Sequence, residues 1–195
     1  SSLPRYLINR FKLWKTISYA KNVNKFKKLA EFDQKPRAMI ISCCDSRIQP
    51  TSIFQAKEGE FFVHRNIANL IPSYDSSSND FSTFAAIEYA IKQLKVPDII
   101  ILGHTDCGGI KSGHTHYSKG PNKNYKFLNK WINNLRAANL NVPKKLSKRN
   151  QIQFLEEESI RISINNLFKF PKIKYLVKNN KLSIHGLIYD ISSGE

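Results

Sequence analysis

The chain has 195 residues, 41% of them hydrophobic, and its 31 lysines and arginines outnumber 15 aspartates and glutamates to give a formal net charge of +16. That length falls within one domain and can bury a real core, and no apolar run approaches the roughly 18 residues of a membrane span. Three cysteines, two of them adjacent, argue against a disulfide framework and fit a reducing compartment.

Eight basic side chains and no acid fall within residues 1 to 30, half of the net charge, and the remainder reads as mildly basic. No nucleic-acid module is recognisable. Lysine outnumbers arginine, as on a solvated surface rather than one that reads bases or phosphates, so no specific nucleic-acid partner is expected. Leu7, Phe11, Trp14 and Ile17 recur at helical spacing with basic residues between them. They predict an amphipathic N-terminal helical arm over residues 1–33 whose apolar face packs on protein. A membrane-surface helix or the remains of a targeting sequence are the alternatives.

Pro36 closes the arm. The runs 38–42 and 98–103 are apolar and too short for helices, which predicts buried strands of a parallel sheet. Between them, Pro50 is placed to begin a short helix through Phe54 and Gln55, Gly59 breaks it, and residues 60–64 read as a second strand. Residues 72–80 read as a loop, with Asp80 or Ser82 capping a helix that buries Phe84, Ile87, Ile91 and Leu94. Residues 111–124 are polar and contain Gly and Pro, hence a loop carrying His114 and His116 as exposed histidines. A helix through Tyr125, Leu128, Ile132 and Leu135 follows, then a solvated basic stretch, 144–149. A longer helix over about 151–168 is stopped by Pro171, and a last strand alternates through Leu182, Ile184, Leu187 and Ile188. The expected fold is a single α/β domain with a mostly parallel central sheet flanked by helices, its core over 34–195, without internal repeats or linkers.

Both buried runs end at chemistry, the first at Cys43-Cys44-Asp45-Ser46-Arg47 and the second at His104-Thr105-Asp106-Cys107-Gly108-Gly109. Two thiols and an imidazole suit Zn²⁺. In open α/β sheets ligands bind beyond the carboxyl ends of strands where the chain order reverses, so Cys43 and His104 can meet. Gly108 and Gly109 let the backbone pass close to the metal. Cys43, His104 and Cys107 make three ligands, which leaves a position for water or substrate, as in catalytic rather than structural sites. Asp45 is the nearest fourth, but Arg47 can hold it away in a charge-assisted pair.

The motif Cys43-x-Asp45-Ser46-Arg47, followed by Arg65-Asn66-Ile67-Ala68-Asn69 and by Gly103-His104-x-x-Cys107-Gly108-Gly109, resembles the β-class carbonic anhydrases. The similarity runs from about residue 34 onward and includes 60–63, 85–90 and 183–190. It implies reversible hydration of CO₂ to bicarbonate and a proton on one Zn²⁺ per subunit, by attack of zinc-bound hydroxide oriented by Asp45 and Arg47. Cys43 is then the zinc thiolate, and Cys44 occupies the variable position. The resemblance assigns substrate contacts to Gln34, Phe62, Ile67, Tyr89 and Gly108, with Gln34 and Tyr89 reaching in from a neighbouring subunit. It also implies a homo-oligomer, a dimer or a dimer of dimers, in which N-terminal helices embrace the partner. Members regulated by bicarbonate carry Trp and Gly where this chain has Ile40 and Ser42; Tyr189 retains the third partner, and the unregulated type is favoured. The expected location is cytoplasmic, with an organelle matrix as the alternative if an N-terminal targeting segment has been removed. A CS₂ or carbonyl sulfide hydrolase on the same scaffold is the alternative enzyme, and a non-catalytic zinc or bicarbonate-binding protein the alternative from another class.

Overall fold

The two apolar runs that end at Cys43 and His104 are adjacent parallel strands. In the computed structural model, which describes residues 2–74 and 81–195, the strands are β1 (Ala38–Cys43), β2 (Phe61–Asn66), β3 (Asp98–His104) and β4 (Ser183–Tyr189). They form one sheet in the order β2-β1-β3-β4, with every pairing parallel. Cys43 lies opposite Asn66, and Ser42 lies between Arg65 and Leu102. The carboxyl ends of three strands therefore open at one place, where the chain order reverses: β1 leads to β2 on one side, and β2 leads across β1 to β3 on the other.

Residues 1–35 form a compact unit of their own, and 36–195 form another. In the first, α1 (Arg5–Trp14) continues through a π-helical turn, Lys15–Tyr19, and is followed by α2 (Val23–Glu31). The rings of Trp14, Tyr19 and Phe26 gather with centroids 5.2 to 5.7 Å apart, a spacing suited to aromatic pairs. No residue of either helix is buried. Leu7, Phe11, Trp14 and Ile17, the expected apolar stripe, remain exposed.

In the second unit the helices are α3 (Pro50–Ile53), α4 (Phe81–Glu88) with a π-helical extension Tyr89–Leu94, α5 (Gly108–Lys119), α6 (Lys126–Ile132), α7 (Arg136–Leu140), α8 (Lys148–Leu167) and α9 (Pro171–Lys178). One face of the sheet buries Met39, Ile41, Ile99 and Ile101 against Ile87, Ile91, Ile160, Leu167 and Ile173. Each such side chain stabilises the fold by roughly 1.5–3 kcal/mol when fully buried. On the opposite face Ile40 and Leu102 pack with Ile48 in a smaller cluster. A third cluster, which includes Ile110, Ile132, Leu135 and Leu155, surrounds Cys43 and Cys107. The Phe84, Ile87, Ile91 and Leu94 stripe faces the core as expected. Asp80, its anticipated cap, lies outside the described residues, as does most of the 72–80 loop, and Ser82 sits inside the helix.

Three expectations are corrected. Residues 108–119 are a helix, not a loop. Ile110, Gly113 and His114 are its buried face, and a Cβ at Gly113 would collide with Leu135 Cδ1, so that glycine serves close helix packing rather than helix breaking. His114 is accordingly buried and its Nε2 donates to Gln151 Oε1 at 2.8 Å. Pro171 does more than stop α8: it occupies the first turn of α9, where its missing N–H costs nothing. Finally, β4 is an edge strand whose alternation is only partly kept: Leu182 and Ile184 pack on the core, whereas Leu187 and Ile188 are exposed.

Candidate metal centre

Arg65, at the end of β2, grips the turn that follows β1. Its Nε donates to Cys43 O at 2.9 Å, and its Nη2 donates to Asp45 O at 2.8 Å and to Ile48 O at 2.7 Å. Three carbonyls at the end of a strand thus find a charged donor, which holds Cys43 and Asp45 in one conformation. Beyond β2, Asn66 brackets a tight turn, donating from Nδ2 to Leu70 O at 2.8 Å and accepting from Leu70 N at 2.9 Å. Ala68, with φ of 63° in that turn, directs its N–H at Cys43 Sγ, 3.4 Å away. A Cβ on Gly109 would lie 2.7 Å from Ile67 Cγ2 and 2.9 Å from Ala68 Cβ. Only glycine lets the start of α5 come so near this turn.

The second half of the site grows from β3. His104 Nδ1 donates to Thr105 O at 2.9 Å, which fixes the tautomer and leaves the Nε2 lone pair available. That Nε2 is buried without a hydrogen-bond partner. The chain then turns through Asp106, at φ of 62°, and Cys107 caps α5. Cys107 N donates to Glu156 Oε1 of α8 at 2.9 Å.

Cys43 Sγ and Cys107 Sγ are 3.9 Å apart, and the ligand atoms of Cys43, His104 and Cys107 all lie within 4.8 Å of one another. An orphaned imidazole nitrogen facing two thiols fits Zn²⁺, which takes this mixed sulfur and nitrogen set. Three protein ligands leave one coordination position open. The hydrogen bond from Cys107, with help from His104 and the backbone N–H groups of Asp45 and Ala68, holds the Cys43 thiol well below its usual value against the effect of burial. Cys107 is pushed up, because it keeps the proton it shares with Cys43 and because it is buried. Burial works to lower His104, yet the neighbouring Cys43, the Thr105 carbonyl and the negative charge of Asp45 leave it raised.

Beside the cluster, Arg47 holds both oxygens of Asp45: Nε donates to Oδ1 at 2.9 Å and Nη2 to Oδ2 at 2.7 Å, with Arg47 N adding a bond to Oδ1 at 3.0 Å. Arg47 Nη2 also reaches Asp106 O at 3.2 Å. These bonds hold the Asp45 carboxyl well below the usual carboxylate range. Asp45 Oδ2 stands 3.9 Å from His104 Nε2, next to the ligands and turned toward its arginine.

Of the expected substrate contacts, Ile67 lies in the turn over Gly109, its carbonyl accepting from Trp131 Nε1 at 2.8 Å. Gly108 is the exposed first residue of α5. Phe62 is placed elsewhere. It pairs with Met39, four residues before the Asn66 and Cys43 pairing, roughly 13 Å back along the strand. There it stacks on Tyr89, with ring centroids 5.8 Å apart. Gln34 belongs to the 1–35 unit and is exposed. The backbone grips of Arg65 and Glu156 were not anticipated. Arg65 was visible as part of a motif, whereas Glu156 is one of three consecutive glutamates, and nothing local separates it from the other two.

Comparison with known proteins points one way. Residues 38–195 match the family described as carbonic anhydrase. Beta carbonic anhydrase 3 of Arabidopsis thaliana is 35% identical over 184 residues, which cover 93% of this chain and 70% of that protein. Mitochondrial beta carbonic anhydrase 6 of the same plant is 34% identical over 94% of this chain, which spans only 63% of its length. Among solved structures, the β-carbonic anhydrase CcaA matches 98% of this chain and 85% of its own with a TM-score of 0.86 at 30% identity. A structure from the report of two tetrameric β-carbonic anhydrases of Sordaria macrospora matches 97% and 93% with a TM-score of 0.83 at 29% identity.

Proposed function

The chain belongs to the β-class carbonic anhydrases, and from this we propose that Cys43, His104 and Cys107 hold its zinc while Asp45 and Arg47 prepare the nucleophile. The family's reaction is the reversible, zinc-dependent hydration of CO₂ to bicarbonate and a proton. One observation carries the assignment: a buried cluster of two thiols and an unpartnered imidazole nitrogen stands beside a carboxylate pinned by arginine. Zinc bound there supplies Lewis acidity that lowers the pKa of water from about 15.7 to about 7.

Asp45, ionised and immobilised by Arg47, accepts a hydrogen bond from the attacking oxygen and turns a lone pair toward the carbon of CO₂. A C–O bond forms as one C=O electron pair moves onto oxygen, giving bicarbonate, and the proton lost by water leaves to solvent. Arg65 and Glu156 keep the two ligand turns in place. Elemental analysis combined with a CO₂ hydration assay tests the reading. Zinc-loaded protein without hydration would favour a non-catalytic binding protein, and turnover of CS₂ alone would overturn the substrate.

The pocket is completed in a homo-oligomer, a dimer or a dimer of dimers, with Gln34, Phe62 and Tyr89 serving a partner's metal. The distance of Phe62 from Cys43 along the strand supports this, as do the exposed Tyr89, Val63 and Leu187 and the tetrameric Sordaria proteins. Deleting residues 1–30 should weaken assembly and hydration together, and sedimentation showing an active full-length monomer would refute it. No helix among the described residues is long and apolar enough to cross a membrane. A cytoplasmic or organelle-matrix location fits three free cysteines and relatives named mitochondrial and chloroplastic.

A further inference from the structure

The peptide unit between Ile67 and Ala68 is held from both sides. Its carbonyl, Ile67 O, accepts from Trp131 Nε1 at 2.8 Å, and its N–H, that of Ala68, points at Cys43 Sγ at 3.4 Å. In a planar trans peptide these two groups face opposite ways, so the indole and the thiol stand at the two poles of one dipole. None of the motifs that carry the metal turns contains Trp131, which lies 64 residues after Ile67 near the end of α6.

That end of α6 is well anchored. Ile132 is buried, and its carbonyl accepts from the Tyr117 hydroxyl on α5 at 3.2 Å. Trp131 itself packs on the cluster that surrounds Cys43 and Cys107. The turn it grips needs the hold, because Ala68 and Asn69 have φ of 63° and 47°, a region that residues other than glycine occupy only when their surroundings impose it. The Asn66 side chain closes the ends of the turn at Leu70, whereas Trp131 bonds to its central peptide.

A hydrogen bond received at a carbonyl polarises the whole peptide and makes its N–H a stronger donor. A hydrogen bond given to a thiolate withdraws charge from the sulfur, and this cluster offers a metal two sulfurs. Sulfur that donates less charge leaves the ion a stronger Lewis acid. We propose that Trp131 is a positioning residue for the Cys43 thiolate, fixing and strengthening through the 67–68 peptide the N–H···S bond that tempers this sulfur as a ligand. The inference rests on the assignment of Cys43 to the metal.

The test exchanges zinc for cobalt(II) in the full chain and reads the sulfur-to-cobalt charge-transfer band, whose energy falls as a thiolate loses hydrogen bonds. Trp131→Phe, which keeps a ring and removes the donor, should move the band to longer wavelength. In the zinc-loaded protein it should also lower CO₂ hydration about tenfold, the scale on which outer-shell partners act. Lys130→Ala, an exposed neighbour on α6, should change neither. Hydrogen–deuterium exchange should find the Ala68 amide protected in the zinc-loaded wild type and several-fold faster in Trp131→Phe. An unshifted band in folded Trp131→Phe overturns the proposal. So does rapid exchange of the Ala68 amide in the wild type, a measurement that needs no variant to fold. A wild type without the band, or an undiminished band in Cys43→Ser, overturns the ligand assignment itself and this inference with it.

Discussion

The carboxylate of Glu156 on α8 accepts the backbone N–H of Cys107 at 2.9 Å, so a helix 49 residues further along the chain holds the turn that carries two of the three proposed zinc ligands. Glu156 is only 5% exposed, and burial raises its pKa against the pull of that hydrogen bond. Glu156→Ala leaves a buried N–H without an acceptor, at a cost of about 1–3 kcal/mol. Zinc affinity should fall by roughly tenfold or more, as when an outer-shell partner is lost. Glu156→Gln retains an acceptor oxygen and should stay near wild type. Equal zinc affinity in wild type and the alanine variant, measured by chelator competition, would show that the contact does not position Cys107.

Arg47→Ala removes both side-chain bonds that hold Asp45 beside the ligands. Asp45, 3.9 Å from His104 Nε2, is then free to enter the ligand cluster as a fourth donor. Zinc content should be kept while the hydration rate drops by roughly 100-fold, the scale on which misplaced catalytic groups cost rate. Asp45→Asn should also lose turnover, since an amide is a poorer acceptor for the nucleophile's proton. Wild-type rates in Arg47→Ala across the pH range would mean that the pair is structural.

Cys43 is buried within the ligand cluster, whereas Cys44 is exposed. Elemental analysis should therefore find zinc lost in Cys43→Ser and retained in Cys44→Ser. The reverse result would shift the ligand register by one residue.

Zinc binding should be proton-coupled. Without metal, Cys107 holds a proton well above its usual pKa, through its bond to Cys43 and its burial, and His104 is also raised. Cys107 must lose its thiol proton and His104 must be neutral at Nε2 to ligate, so affinity should weaken as pH falls, by about tenfold per unit for each proton released. Asp45 is displaced the other way, its pKa lowered chiefly by Arg47, and stays ionised throughout the neutral range. Protonation of Asp45 therefore cannot account for acid loss of activity above pH 5. Chelator competition at several pH values, followed with a pH indicator in weak buffer, measures the proton release directly. Zinc affinity independent of pH between 6 and 8 would contradict the shared-proton arrangement.

The amino-acid sequence by itself determined the candidate ligand cluster and the plan of the sheet. Short apolar runs ending in Cys43 and His104 have few other ways to bury both faces than as neighbouring parallel strands, and the structure pairs them so. The helix over 108–119 was not legible. Its polar surface and Gly113 read locally as a loop, and only the approach of Leu135 explains the glycine. Pro171 marks a boundary in either reading, but whether it ends one helix or begins the next depends on what packs against Ile173. Phe62 and Tyr89 show the same limit from the other side. Sequence supplied their kind, whereas the strand register set them at the level of Met39 instead of Cys43. Which of three adjacent glutamates turns inward, and which carbonyls one arginine can reach, are decided by distances between segments far apart in the chain. Hydrogen-bond geometry of that kind leaves no periodicity to read, so Arg65 and Glu156 acquire their grips on the metal turns only once the tertiary structure has formed.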